Sequence, residues 1–120
     1  MFQKSKNGII TLTKGDSFTT SFFINNGTPL NPILFDFEPG DIIQFRLFRA
    51  NDSWDNPIVR KVYTENDVTE DGYLTVSFNP TDTDWIDYGI YYYEAKILYT
   101  RDEIDFVWTF IPRTKFYIVN

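Results

Sequence analysis

The sequence contains no cysteine and no histidine. The first absence rules out disulfides and thiolate metal or redox sites, so the fold asks for no oxidising compartment. The second removes the commonest general base and the commonest zinc ligand together. No apolar run approaches the roughly 18 residues of a membrane-spanning helix. The polar opening Met1-Phe2-Gln3-Lys4-Ser5-Lys6-Asn7-Gly8 lacks the apolar core of a secretory signal, which points to synthesis and retention in a cytoplasm, or release by lysis. Basic residues are outnumbered, 11 Lys and Arg against 17 Asp and Glu, for a formal net charge of -6. A surface of that sign repels phosphate backbones, so nucleic acid is not an expected partner; without a spanning run, neither is a membrane. Asn26-Gly27-Thr28 and Asn51-Asp52-Ser53 fit the glycosylation pattern, but without a secretion signal both read as turns.

What is abundant is aromatic: 12 Phe, 8 Tyr and 3 Trp in 120 residues, enough for one well-packed domain over residues 1–120. Every apolar stretch is short, β-branched or aromatic, and bounded by Gly, Pro, Asn or Asp, which is the pattern of an all-β chain. Strands are predicted over Ile9–Thr13, Ser17–Ile24, Ile42–Arg49, Ile58–Tyr63 and Tyr73–Phe78. In the third, Ile43, Phe45 and Leu47 point inward and Gln44, Arg46 and Phe48 outward. Phe45 and Val76 are expected to face Tyr93 and Ile97 across the core. Asn25 to Pro29 reads as a turn, Asn31 to Phe37 as a packed loop, and Ala50 to Asn56 as a polar loop. Asn79 to Trp85 reads as one turn of helix capped by Asn79 or Thr81.

The stretch from Asp87 to Tyr99 organises the rest. With a loop over Thr100–Asp105, a strand from Phe106 would pair Tyr99 with Phe106, Ile97 with Trp108 and Ala95 with Phe110 on an apolar face. Leu98 with Val107, Lys96 with Thr109 and Glu94 with Ile111 would form the mixed opposite face. Pro112 is expected to break this ladder, and Thr114 to Val119 to resume as a final short strand. The mixed face carries Tyr92, Leu98, Val107 and Ile111, more apolar surface than a solitary domain leaves in water. These four are the candidate interface, for a second copy or another protein. The competing reading has the loop at 31–37 or the final strand cover them.

The spacing of Asp87, Gly89 and Tyr91 resembles the tyrosine corner of immunoglobulin-like sandwiches, in which a Tyr near the start of one strand bonds to the chain upstream. The resemblance implies an all-β, immunoglobulin-like β-sandwich of about seven strands without a disulfide. The Tyr91 hydroxyl is expected to reach backbone within Asn79–Trp85. More widely, the chain resembles small immunoglobulin-like proteins of phages and prophages of Gram-positive bacteria, above all the N-terminal domain of the upper baseplate protein family. The blocks that carry this are Leu12-Thr13-Lys14-Gly15-Asp16-Ser17-Phe18, Pro39-Gly40-Asp41-Ile42-Ile43-Gln44-Phe45-Arg46-Leu47, Asp71-Gly72-Tyr73-Leu74-Thr75-Val76-Ser77-Phe78, Tyr88-Gly89-Ile90-Tyr91-Tyr92-Tyr93-Glu94-Ala95-Lys96-Ile97 and Phe110-Ile111-Pro112-Arg113-Thr114-Lys115-Phe116-Tyr117-Ile118, in that order. It implies a non-enzymatic virion structural protein of the tail, the baseplate or the head, made in the bacterial host and acting through other virion proteins. In baseplate proteins the domain continues into a helical or receptor-binding part, and this sequence runs to Asn120.

Four further groups of residues bear on function. Asp82, Asp84 and Asp87 have near-calcium spacing but no Gly-centred ligand loop, and read first as helix capping. Glu65, Asp67, Glu70 and Asp71 read as a solvated loop. The serines have no histidine partner, so no metal, cofactor or catalytic residue is assigned. Among the tryptophans, Trp108 is expected in the core and Trp85 at the end of the sandwich. Trp54, in a polar loop, is the candidate for stacking on a sugar. The alternative function is therefore a carbohydrate-binding module that attaches to a host glycan.

Overall fold

Residues 73–78 alternate exposed and buried without a fault, the period of two of a strand with one face on the core. The computed structural model describes residues 1–24, 31 and 33–120; the predicted turn at Asn25–Pro29 lies outside them. The protein is all-β. Its strands are β1 (Phe2–Lys4), β2 (Ile10–Thr13), β3 (Phe18–Phe23), β4 (Ile42–Phe48), β5 (Val59–Tyr63), β6 (Tyr73–Phe78), β7 (Gly89–Arg101) and β8 (Ile104–Val119). One helical turn, α1 (Pro80–Thr83), follows β6, with Pro80 in its first turn. Six strands form one sheet in the order β1-β2-β8-β7-β4-β5, and β3 pairs with β6 in a second.

The two sheets meet through aromatic rings. Phe22 lies 5.9 Å from both Phe45 and Tyr93, Phe78 lies 5.8 Å from Phe45, and Phe18 and Phe78 each lie 6.0 Å from Phe116. Phe45 and Tyr93 do not oppose one another as the sequence predicts. They are neighbours in the large sheet, stacked at 5.2 Å, and Phe22 and Phe78 are what they face. At the N-terminus β1, unpredicted because it is three residues long, pairs with β2 and stacks Phe2 on Phe18 at 4.5 Å. β2 in turn runs parallel to β8, with Ile10 beside Phe116 and Thr13 beside Val119.

The last hairpin departs from its predicted form in two places. Its loop is not six residues but two: Thr100 pairs with Asp105 and Arg101 with Ile104, and only Asp102 and Glu103 turn, at φ 52° and 65°. Positive φ at both positions gives the twist that matches the strands. Pro112 also does not end the strand. The predicted pairs hold from Tyr99 with Phe106 to Lys96 with Thr109; then Ala95 meets Ile111 rather than Phe110, and Tyr93 meets Thr114. β8 thus carries an extra residue on each side of Ile111, and these bulges absorb Pro112, which has no N–H to give the ladder. The first bulge turns Ile111 to the core, and the second restores the alternation that keeps Phe116 and Ile118 inward; all three are buried.

Candidate interaction surface

The bulges first redraw the candidate interface. Ile111 is only 9% exposed and belongs to the core, so it leaves the set. Tyr92 stays on the outer face of the large sheet but pairs with Lys115 and Phe48. It stands six residues along β7 from Leu98, about 20 Å at strand rise. Leu98 and Val107 are directly paired, and on the other side Leu98 pairs with Ile42. Ile42–Leu98–Val107 is therefore one apolar row across three strands, with Ile42 39% and Val107 61% exposed. Ile42 was missed, although alternation back from Gln44 places it on this face. A shallow depression of about 270 Å³ borders the row, with Gly40 and Thr100 in its wall.

Among the described residues neither predicted cover reaches this row. The loop at 33–37 packs on the opposite face of the hairpin: Phe35 stacks on Trp108 at 5.6 Å and meets Tyr99 edge-on at 5.2 Å. Trp108 is accordingly half-buried under Phe35 rather than deep in the core. This segment is anchored by Arg101, whose guanidinium donates to both carboxylate oxygens of Asp41 at 2.9 Å and to the Asp36 carbonyl at 3.0 Å, and pairs with Glu38. Asp41 is nearly fully buried. The hydrogen bonds from Arg101 hold its carboxyl below the ordinary aspartate range, and the Glu38 N–H adds another at 2.9 Å.

What does cover the outer face is the predicted polar loop after β4, and it covers only the far end. Trp54 folds back onto the sheet, with the Arg46 guanidinium 4.3 Å and the Lys96 ammonium 4.7 Å from its ring centre. Phe48 lies beneath, 5.8 Å from Trp54, with Arg113 4.3 Å over its ring. Arg113 also donates to the Asp52 carbonyl at 2.5 Å and approaches Glu94 at 3.5 Å. Phe48 is consequently fully buried although it points away from the core between the sheets. Trp54 is half-buried among these groups and is not a freestanding platform for a sugar. Trp85 does not plug an end of the molecule: it is 54% exposed, and its neighbour Ile86 is buried instead.

The corner residues come together at the start of β7. The Tyr91 hydroxyl donates to the Asp87 carbonyl at 2.7 Å, four residues back, and not into 79–85. Gly89 lies between them at φ 154°, and burial raises the Tyr91 phenol above its ordinary pKa. Tyr93 makes a second bond of this kind, its hydroxyl donating to the Gly8 carbonyl, and burial pushes its phenol up to about 12. Gly8 has φ 82°, and a Cβ there would stand 3.0 Å from the Tyr93 oxygen, so glycine is required on both counts.

The acidic clusters are used locally. Asp82 accepts from the Asn79 N–H at 2.7 Å, capping α1, and from Lys61 at 2.8 Å. Asp67 caps its own short turn through the Thr64 N–H at 2.8 Å. Among the described residues no group of three or more acidic side chains is gathered for a metal ion, and no helix is long and apolar enough to cross a membrane. No protein-family model, curated protein or solved structure matches the chain.

Proposed function

We propose that this chain is a non-enzymatic structural domain of immunoglobulin-like build that works through protein–protein contacts in a phage virion. The fold reading is supported by β3 and β6 packed against β4, β7 and β8, by β2 running parallel to β8, and by the Tyr91–Asp87 bond at the corner. The virion setting rests on the resemblance to phage baseplate domains. The observation that carries the function is the apolar row Ile42–Leu98–Val107, contiguous across three strands and exposed at both ends. Water is a poor neighbour for such a row, and a protein partner is a good one.

Chemistry has little to work with. The depressions of about 460 and 320 Å³ near Lys4 and Tyr93 have no carboxylate in their walls, and Ser5, which borders both, has no histidine to activate it. Glycan attachment loses its best residue where Trp54 packs on Arg46, Lys96 and Phe48.

The test is Leu98→Glu, introduced into the phage or prophage that encodes the chain. Leu98 sits on the outer face away from the aromatic core, so the fold survives while the row gains a charge. Assembled particles should lack the protein, or fail to form. Normal particles containing the variant at full occupancy would overturn the reading. Binding of the purified chain to host cell-wall polysaccharide, abolished by Trp54→Ala, would establish the glycan alternative in its place.

A further inference from the structure

We propose that the partner on this side of the molecule is a second copy of the chain, added edge to edge along β8 in antiparallel register about Val107. The inference rests on the protein-contact reading above and names its occupant.

Among the described residues, β2 pairs with β8 only from Phe116 to Val119, so the outer edge of Ile104–Thr109 meets no strand. Which backbone groups face that edge follows from the turn. A two-residue turn closes on a hydrogen-bonded pair, here Arg101 with Ile104, and hydrogen-bonded pairs recur every second residue. Ile104, Phe106 and Trp108 therefore bond to β7, while Asp105, Val107 and Thr109 turn their N–H and C=O groups outward. The far end of the strand agrees. After the two bulges the Val119 carbonyl is on the outer side, and it accepts the Lys14 N–H at 2.9 Å.

An open edge of three donors and three acceptors is a template for another strand. The sequence on this edge is self-complementary. With Val107 opposite Val107 of the second copy, Asp105 meets Thr109, Phe106 meets Trp108 and Ile104 meets Phe110. The outward-facing residues fall opposite one another, as hydrogen bonding requires. Within the paired stretch Ile104–Phe110 no like charges are opposed, whereas centring two residues nearer the turn sets Asp105 against Asp105. The acidic turn Asp102–Glu103 of one copy comes level with Ile111–Pro112 of the other, so the two turns, each carrying two carboxylates, lie at opposite ends of the pair and stay apart on a chain of net charge -6.

The pairing also gives partners to the apolar residues this strand leaves in water: Ile104 at 58%, Phe106 at 40% and Val107 at 61% exposure. The row Ile42–Leu98–Val107 becomes continuous across both copies. A strand pair of this length buries less than the roughly 1,200 Å² of a stable interface, so the dimer forms at high concentration and separates on dilution.

The purified chain should shift with concentration from 14.2 kDa toward twice that mass in sedimentation equilibrium. Hydrogen exchange at the amides of Asp105, Val107 and Thr109 should slow over the same range, with Phe106 and Trp108 unaffected. Val107→Lys and Val107→Glu should each remain monomeric, because each places like charges on the two-fold axis, and an equimolar mixture should recover the dimer. Circular dichroism of each variant confirms the fold. A wild-type chain that stays monomeric at every concentration overturns the inference, as does a Val107→Lys chain that dimerises like wild type or a mixture that fails to associate. A monomeric wild type leaves the wider reading to the Leu98→Glu particles, so the two failures are distinguishable.

Discussion

Phe48→Ala tests whether the loop after β4 closes a second, smaller core on the outer face of the sheet. Phe48 has no exposed surface, yet among the described residues no strand lies above it; it is covered by Trp54 at 5.8 Å and Arg113 at 4.3 Å. Truncating a sealed phenylalanine costs about 3–5 kcal/mol. A roof made of loop relaxes further than a roof made of sheet, so about 3 kcal/mol is expected, against the upper end for Phe45→Ala between the sheets. Trp54→Ala removes the roof and its contacts with Arg46 and Lys96, each of the order of 0.5–1 kcal/mol, and should cost about 2 kcal/mol. Because the rings touch, the double variant should cost less than the sum, by about 0.5–1.5 kcal/mol. Urea denaturation of the four proteins gives all the terms from shifts in midpoint at constant slope. Val62→Ala is the control: it lies on the same face but is 52% exposed, and should stay within about 0.5 kcal/mol of wild type. A loss below about 1 kcal/mol for Phe48→Ala, or strict additivity with Trp54→Ala, would show that the loop does not seal this face.

Three further outcomes are expected. Tyr91→Phe removes the bond to Asp87 and should lower stability by about 1 kcal/mol with the fold intact, measured by thermal melting; an unchanged melting temperature would reject a corner role for Tyr91. Asp41 has its carboxyl pKa depressed in the folded state by Arg101, so its contribution is complete above the ordinary value of 3.8 and is lost as pH falls through the lower folded value. The slope of stability against pH below 3.8 should flatten in Asp41→Asn, and an unchanged slope would refute the assignment. Replacing Asp102-Glu103 by Asn-Gly relieves two positive-φ residues and should raise stability by about 1 kcal/mol in urea, whereas a loss would show that the turn is not of this type.

Where one face of a strand meets the core, the amino-acid pattern is enough to read it. β6 alternates throughout and β4 does so as far as Leu47, and the register of the last hairpin is correct from Tyr99 with Phe106 to Lys96 with Thr109. The pattern misleads where pairing rather than alternation decides. Pro112 reads as a stop, but a bulged strand tolerates it, and the core's demand for Ile111, Phe116 and Ile118 carries the strand through. Asp102-Glu103 has neither Gly nor Asn to announce a tight turn. The polar loop after β4 hides a single useful clue, a tryptophan among Asp and Asn, and the two cations that receive it stand on separate strands, Arg46 and Lys96. The candidate interface was half legible for the same reason: Leu98 and Val107 precede the bulge and Ile111 follows it.

The parallel pairing of β2 with β8 also imposes an order in time. Ile10 and Phe116 are neighbours in the sheet, yet the ribosome makes one long before the other. At about 5–20 residues per second, β2 waits roughly 5–20 s for its partner strand to be synthesised. Until then β1 and β2 have no sheet partner but each other, with the Phe2–Phe18 stack and the Lys4 bond to the Ser21 carbonyl as ties to β3, and a three-residue and a four-residue strand make a marginal pair. The hairpin of β7 and β8 is local and closes quickly, whereas the segment made first docks last and must close the longest loop in the molecule. Nascent chains arrested before Phe116 emerges would therefore present Ile10 and Leu12, both fully buried in the finished protein, to whatever chaperone or sister chain is nearest.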